Sequence, residues 1–483
     1  MSELKEKTSK GMFWSGVMSV LQQTLGLGFS IVIARRLAPS DFGMVGMLTI
    51  FTAIATCLQD GGMVWALTNR KEVSHIQYSS VFWINLIFSI SIYTLLFFCA
   101  PFIADFFGHK ELIWLSRYVF LGIIFSSLGV VQMAYLFKQI KVKERAIATI
   151  VGLIVSGLAG IVLAYLGFSY WGIATQGILN IGITTLMLWF YSPFRPSMCL
   201  DRNFIQEIVP EGLHFVISNV FAIAGENIFS IVLGKRYSVA DVGNFTQAAK
   251  WNTAGYSSIL GMMRGVSQPV LVQVRDDKEQ YLNVFRKLFR MAAFIVVPIM
   301  LCLALVSTEF IEIILTSKWL ESAHILRVLS LGGVFCVLNA VFTYSIMSLN
   351  RTTLYMYLGT IMATMQVIAA LIASKWGVTA LAYTNSAILF LSFFIYYSFL
   401  RQTHSYSIKK LAADVAPIFS IGIFSALLSY YITLGIHSAL CLLVVRIFAV
   451  FVIYLGLMHI FKCDSYIEVE RFVLSKLKAI KRT

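Results

Sequence analysis

Four stretches of this sequence place polar side chains where apolar ones are the rule. Asn219, Glu226, Asn227 and Ser230 fall in the apolar run 211–234, and Asn244, Gln247, Lys250, Trp251 and Asn252 fall in 240–263. Thr49, Thr52, Thr56 and Asp60 recur within 42–66, and Ser15, Ser19, Gln22, Gly26 and Ser30 within 12–34. Steps of three and four put such residues on one face of a helix. Polar groups in hydrocarbon cost free energy unless they face a cavity or another helix. The chemistry these stripes can do is binding and coupling. Lys250 is a point charge suited to a phosphate; Glu226 and Asp60 are carboxylates that can meet a cation. Packing is the competing reading, because small and hydroxyl residues also glue helices together. For Ser15, Ser19 and Thr49 it explains as much. For Lys250 and Glu226 it explains less, since a charge near the bilayer centre costs about 2.5–3.5 kcal/mol.

Depth along the helix ties two of these residues together. At 1.5 Å per residue, Glu226 lies ~12 Å before the end of its run and Lys250 ~15 Å into the next. The two are expected at similar depth on adjacent helices, either as a cleft-facing pair that responds to a solute or as a structural ion pair. Asp60 precedes Gly61-Gly62, which permit a kink or close packing; it is a candidate coupling carboxylate or part of a structural turn.

The elements that position these residues are membrane helices. Of 483 residues, 58% are hydrophobic and only 13% charged, too few charges to cover a water-soluble surface. Mean hydropathy is +0.80. A span needs about 20 apolar residues. Candidate spans lie near 12–34, 42–66, 79–102, 112–136, 146–166 and 170–191, then near 211–234, 240–263, 289–307, 325–348, 354–375 and 377–400, with two more near 411–432 and 436–461. The sequence therefore predicts an all-α polytopic membrane protein of about fourteen helices. With the N-terminus inside, 27 of the 38 Lys and Arg fall on inside segments and seven on outside loops. That asymmetry predicts cytoplasmic termini. It also accounts for the +15 net charge without nucleic acid as a partner.

A repeat orders the spans. "IVIARRLAPSDFGMVG" begins at Ile31 and "IVLGKRYSVADVGNFT" at Ile231. At a spacing of 200 residues Arg36 falls on Arg236, Asp41 on Asp241 and Gly43 on Gly243. Each stretch ends one span, turns outside and starts the next in the same direction. The repeat is thus parallel, a transporter architecture. The expected organisation is a six-helix bundle over 1–195, its repeat over 207–400, two added helices over 409–461 and a basic tail over 462–483. Arg35 and Arg36, with Lys235 and Arg236, form basic pairs at equivalent outside turns. They either meet an anionic group of a transported solute, such as a phosphate, or anchor the hairpins at anionic membrane lipid.

The same residues carry a resemblance. "ARRLAPSDFGMVGM", "LQDGGMVWAL", the loop with Pro269, Asp276, Asp277 and Pro298, and the segment with Lys318, Trp319 and Arg327 resemble, in order and spacing, the polysaccharide exporters of the multidrug/oligosaccharidyl-lipid/polysaccharide (MOP) superfamily. The nearest resemblance is to the Wzx-type flippases, in the WzxC (colanic acid exporter-like) branch. It implies a MATE/MOP-like fold in which the repeated hairpins line a central cleft. It also implies transfer of a polyprenyl-pyrophosphate-linked oligosaccharide from the cytoplasmic to the outer leaflet of a bacterial inner membrane, by alternating access. The product would feed exopolysaccharide, capsule or O-antigen (lipopolysaccharide) assembly, with a polymerase and assembly machinery as partners.

Other readings stay open. A cation or drug antiporter of the same superfamily would want an acidic cavity, whereas here Lys250 accompanies Glu226. A membrane-embedded glycan polymerase, ligase or acyltransferase would want catalytic groups on long outside loops, and the longest, near 308–324, has no acid/base constellation. No GxxxxGK[ST] loop occurs, so an ATPase is not expected. No cofactor is expected, nor a metal site, because the seven His and seven Cys lack ligand spacing. A coupling ion, Na+ or H+, is left unnamed. Two amphipathic stretches complete the reading: Val274, Tyr281, Phe285, Leu288 and Phe289 within 264–290 are expected to face the membrane, and the tail from Val469 is expected to lie on its surface.

Overall fold

The computed structural model describes residues 2–63, 67, 68, 70, 72–404, 406–463, 466–468 and 470, and these residues are helical with short turns and one longer non-helical connection at 192–201. The first part of the chain forms α1 (Ser2–Arg36), α2 (Pro39–Gly46), α3 (Thr49–Asp60), α4 (His75–Phe107), α5 (Leu112–Lys138), α6 (Val142–Tyr165) and α7 (Ser169–Tyr191). There follow α8 (Arg202–Arg236), α9 (Val239–Gln273), α10 (Lys278–Leu305), α11 (Ser307–Leu315) and α12 (Leu320–Ser348). The last are α13 (Thr352–Ala373), α14 (Val378–His404), α15 (Ile408–Ile432) and α16 (Ala439–Ile460). Among the described residues, eleven helices are long and apolar enough to cross a membrane, α2 and α3 counting as one. The sequence count of fourteen adds α1, α8 and α9. Each of these has 35 residues, long enough to span, but they are not among the eleven.

The helix ends follow local chemistry. Pro39 opens α2, where its fixed φ suits the first turn. Asp41 then accepts from the Ala38 amide at 2.9 Å and from the Ser169 hydroxyl. In the matching hairpin Asp241 accepts from the Ser238 amide at 3.1 Å and from the Ser238 hydroxyl at 2.7 Å. In both copies the repeated aspartate sits three residues after the residue that precedes the helix and accepts from that residue's amide, one that a helix start leaves open. Gly61 closes α3 at φ 55°, a left-handed backbone that glycine adopts without strain. Ser74 and Gln77 form a reciprocal capping box at the start of α4.

By packing, the chain divides into two compact units, Met1–Thr246 and Gln247–Thr483. In the first, α6 packs along α7, α5 along α4, and α8 against α3 and α4. Its core includes Tyr78, Val81, Phe82, Val131 and Phe194. Gln59 and Asn85 clamp α3 to α4 through paired hydrogen bonds of 2.8 and 2.7 Å, polar glue inside the bundle. In the second unit an aromatic core of Tyr281, Phe285, Phe289, Phe342, Phe393 and Tyr406 joins α10, α12 and α14.

That core corrects one expectation. The 264–290 segment is not a surface helix: α9 runs to Gln273, α10 starts at Lys278, and Tyr281, Phe285 and Phe289 are fully buried. Their apolar stripe faces protein. The tail from Val469 lies outside the described residues, apart from Glu470. The Arg117 guanidinium stacks on Phe97 at 4.1 Å and on Trp114 at 5.0 Å.

Candidate functional site

The first unit holds two features built from the polar residues and the repeat. One is a cavity of 680 Å³ between α3, α5 and α8. Thr49, Thr52, Thr56, Gln59 and Asp60 line it from α3, Ser126 and Val130 from α5, and Asn219 and Ile223 from α8. The α3 stripe seen in the sequence is thus a cavity wall. Thr52 and Thr56 donate their hydroxyl protons to carbonyls of their own helix, at 2.7 Å each. Their oxygens present lone pairs elsewhere. Asp60 is the one charged residue among the described lining residues, so the wall they form is rich in acceptors and suits a cation or a donor-rich solute. A second cavity of 330 Å³ adjoins it, sharing Ser126 and Val130 and reaching Thr149, Asn180 and Thr184 on α6 and α7.

The other feature is a seam between the two repeated hairpins. A Cβ built on Gly43 would meet the Val239 carbonyl oxygen at 1.8 Å; one built on Gly243 would meet the Pro39 carbonyl oxygen at 1.8 Å. A Cβ on Gly46 would meet the Thr246 hydroxyl at 2.9 Å. Pro39 pairs with Gly243 and Val239 with Gly43, so the contacts obey the same 200-residue offset as the sequence repeat. The starts of α2 and α9 cross backbone to backbone around a local two-fold axis, which only glycine at both positions allows. This is why Gly43 and Gly243 recur. Phe229 and Phe245 stack beside it at 6.3 Å.

The polar residues of α9 separate onto two faces. Asn244, Gln247 and Trp251, at steps of three and four, are buried, as is Asn252. Asn244 Oδ1, both polar atoms of Gln247, Trp251 Nε1 and Asn252 Oδ1 have no hydrogen-bond partner among the described residues. Buried polar groups are normally paired, so such a run on one helix calls for water or a ligand. Lys250 and Thr253 lie on the other, exposed face.

The remaining sequence candidates are placed as follows. The Glu226 side chain lies outside the described residues, and with it the expected pairing to Lys250. Asn227 donates to the Ile223 carbonyl of its own helix at 2.9 Å and is not in the cavity lining. Gln22 is half-buried on α1, also away from that lining. Arg35, Arg36, Lys235 and Arg236 are exposed. Arg36 sits over the Tyr165 ring at 5.4 Å, and Lys235 over Phe106 at 4.8 Å. A further cation, Arg446 on α16, is buried against Glu309 at 2.7 Å and Thr433 at 3.0 Å, which makes it an internal tie from α16 to α11. Gln59 and Ser126 were not singled out from the sequence; Gln59 shows the cue, one residue before Asp60 in a polar-striped helix.

Comparison with known proteins agrees with this architecture. The family described as "Polysaccharide biosynthesis protein" matches residues 32–324, more than half of the chain, and the chain belongs to that family. Its resemblance to the Wzx-type members of the MOP superfamily holds. The Escherichia coli (strain K12) lipopolysaccharide biosynthesis protein WzxC is 23% identical over 339 residues, 68% of each chain. A structure of the lipid II flippase MurJ in an inward closed conformation aligns over 94% of this chain and 99% of its own, at 18% identity and a TM-score of 0.74. An inward-facing multidrug resistance MATE transporter of the MOP superfamily aligns over 79% and 94%, at 16% identity and a TM-score of 0.65. The all-α, MATE/MOP-like fold expected from the sequence is the one found. The chain is a multi-pass membrane protein.

Proposed function

We propose that the protein flips a polyprenyl-pyrophosphate-linked oligosaccharide from the cytoplasmic to the outer leaflet of a bacterial inner membrane, by alternating access, with both termini cytoplasmic. The observation that carries this reading is the Gly43–Gly243 seam. On the orientation given by the basic residues, the seam closes the outer ends of the repeated hairpins. The polar cavity of the first unit begins one helix further in, at Thr49. A seam held by backbone contact between two separate hairpins can part as a unit, and parting it opens a route outward. The expected product is a lipid-linked unit for exopolysaccharide, capsule or O-antigen polymerisation, and the polymerase would be the downstream partner.

The residues take roles within that cycle. Lys250 is the cationic group for the pyrophosphate: a lysine on an exposed helix face inside the membrane is stable where it meets water or an anion rather than acyl chains. The buried amides of Asn244, Gln247 and Asn252 offer hydrogen bonds to sugar hydroxyls. Asp60 is the candidate carboxylate for a coupling Na+ or H+. The acidic, cation-suited lining around Asp60 favours a second reading, a cation or drug antiporter of the same superfamily.

Translocation in proteoliposomes decides between them. Purified protein, reconstituted with a fluorescent polyprenyl-pyrophosphate-linked sugar, is expected to expose the sugar to an external glycosidase faster than empty liposomes do. Cation efflux without sugar translocation would favour the antiporter.

A further inference from the structure

One buried cluster in the second unit plays no part in the proposed cycle. Asp414, on α15, accepts four hydrogen bonds: two from Arg286 at 2.7 and 2.8 Å, one from Arg290 at 3.2 Å and one from the Tyr406 hydroxyl at 2.7 Å. Arg290 reaches on to Glu468, beyond the end of α16. Burial first, then the hydrogen bond to Asp414, holds the Tyr406 phenol above its ordinary range, so it stays protonated and donating. Beside this cluster lies a cleft of 490 Å³. Arg290, Asp414 and Lys462 line its polar end, and Pro417, Ile418, Ile421 and Phe461 its apolar wall.

Three features make the cleft suited to an anionic amphiphile. First, its level: the cleft joins the start of α15 to the end of α16, the end of the unit that carries Lys409, Lys410 and Lys462. Asp414 is ~9 Å and Ile421 ~20 Å along α15 at 1.5 Å per residue, so the cleft runs from headgroup depth into hydrocarbon. Second, its charge: Asp414 is saturated by its four donors, and Arg286, Arg290 and Lys462 outnumber Asp414 and Glu468. Third, its backbone: Lys462 holds φ 47°, a left-handed conformation at a helix end where glycine is usual. A lysine kept there sets an ammonium at the lip of the cleft, while Pro417 leaves the Ala413 carbonyl without its helical donor.

We infer that this cleft binds the phosphate of a lipid in the cytoplasmic leaflet, with Lys462 and Arg290 facing the phosphate and Pro417, Ile418 and Ile421 facing the first methylenes. The shared chemistry is a phosphate on an acyl or prenyl chain, from a bulk anionic phospholipid or from a polyprenyl carrier. The inference uses the orientation given above but not the flipping reaction, and its test reads binding rather than transport.

The experiment is a native mass spectrometry titration of the full chain in detergent. Three probes are used: dioleoylphosphatidylglycerol, a polyprenyl monophosphate, and dioleoylphosphatidylcholine. Each Lys/Arg near a membrane phosphate contributes about fivefold in affinity. Lys462→Gly removes the ammonium and relieves the backbone, so it should hold or raise thermal stability while weakening the phosphate lipid about fivefold. Lys462→Glu should weaken it about thirtyfold, with phosphatidylcholine unchanged. Weakening for phosphatidylglycerol, with or without the polyprenyl phosphate, identifies bulk anionic phospholipid as an occupant, the zwitterionic phosphatidylcholine being the control; weakening for the polyprenyl phosphate alone identifies the carrier. Affinity unchanged by Lys462→Glu for both, or no preference of the intact protein for either over phosphatidylcholine, overturns the inference.

Discussion

Alanine at Gly43 or Gly243 should unseat the outer seam without unfolding the protein. Each added Cβ would lie 1.8 Å from a carbonyl oxygen of the facing hairpin, where real Cβ atoms come no nearer than about 3.0 Å. The obstacle is backbone, so rotamer changes cannot relieve it; α2 and α9 must move apart by roughly an ångström. Overpacking of this kind costs about 1–3 kcal/mol. The penalty falls only on the state in which the seam is closed. A closed-to-open equilibrium should therefore shift about 5- to 150-fold toward the parted state. The two glycines share one seam, so the double variant should cost less than the sum of the singles. Gly177→Ala is the control, because a Cβ there meets nothing within 4 Å. Val242, fully buried at the seam, serves as reporter. Val242→Cys in otherwise intact protein should label slowly with a membrane-impermeant maleimide, corrected for the native cysteines by the parent protein. Adding Gly43→Ala should raise the labelling rate at least fivefold, and adding Gly177→Ala should leave it unchanged. Equal rates in all three would refute a closed backbone seam.

Three further outcomes follow from the same geometry. Asp414→Ala leaves Arg286 and Arg290 buried without their shared carboxylate and should cost about 3–5 kcal/mol, read as a lowered unfolding temperature in detergent, whereas Tyr406→Phe should cost about 1 kcal/mol. Glu309→Ala should destabilise by a similar 3–5 kcal/mol, since among the described residues Arg446 would keep Thr433 and its stacking on Tyr430 but no carboxylate. Lys250→Ala should reduce sugar translocation at least tenfold when compared at equal amounts of folded protein. A stability loss without a transport loss would make Lys250 structural.

The helices were legible because hydrocarbon imposes a plain rule, about 20 apolar residues per span, and because Asp41 and Asp241, Gly43 and Gly243 stand out against an apolar background. Their roles, capping and close approach, were only partly legible. Periodicity reports which residues share a face; it does not report which helix that face meets. The same limit misplaced Tyr281, Phe285 and Phe289, whose stripe reads identically whether lipid or protein covers it. It also joined Lys250 to Gln247 and Asn252 in one polar sector, although packing buries Gln247 and Asn252 and leaves Lys250 exposed. The α3 stripe through Asp60 was readable, because consecutive steps of three and four leave one wall. The Asp414 cluster was not, because its arginines stand more than 120 residues away in sequence and only packing unites them.

Complementation addresses the flipping reaction most directly. A flippase-deficient strain carrying the matching glycan genes would receive the intact protein, Lys250→Ala or Gly43→Ala, at equal expression, with surface polymer and cytoplasmic-leaflet lipid-linked precursor measured together. The expected result is restored polymer and low precursor with the intact protein, and precursor accumulation with both variants. Precursor that stays trapped beneath well-expressed intact protein, in a strain whose glycan genes match, would contradict flipping of a lipid-linked oligosaccharide.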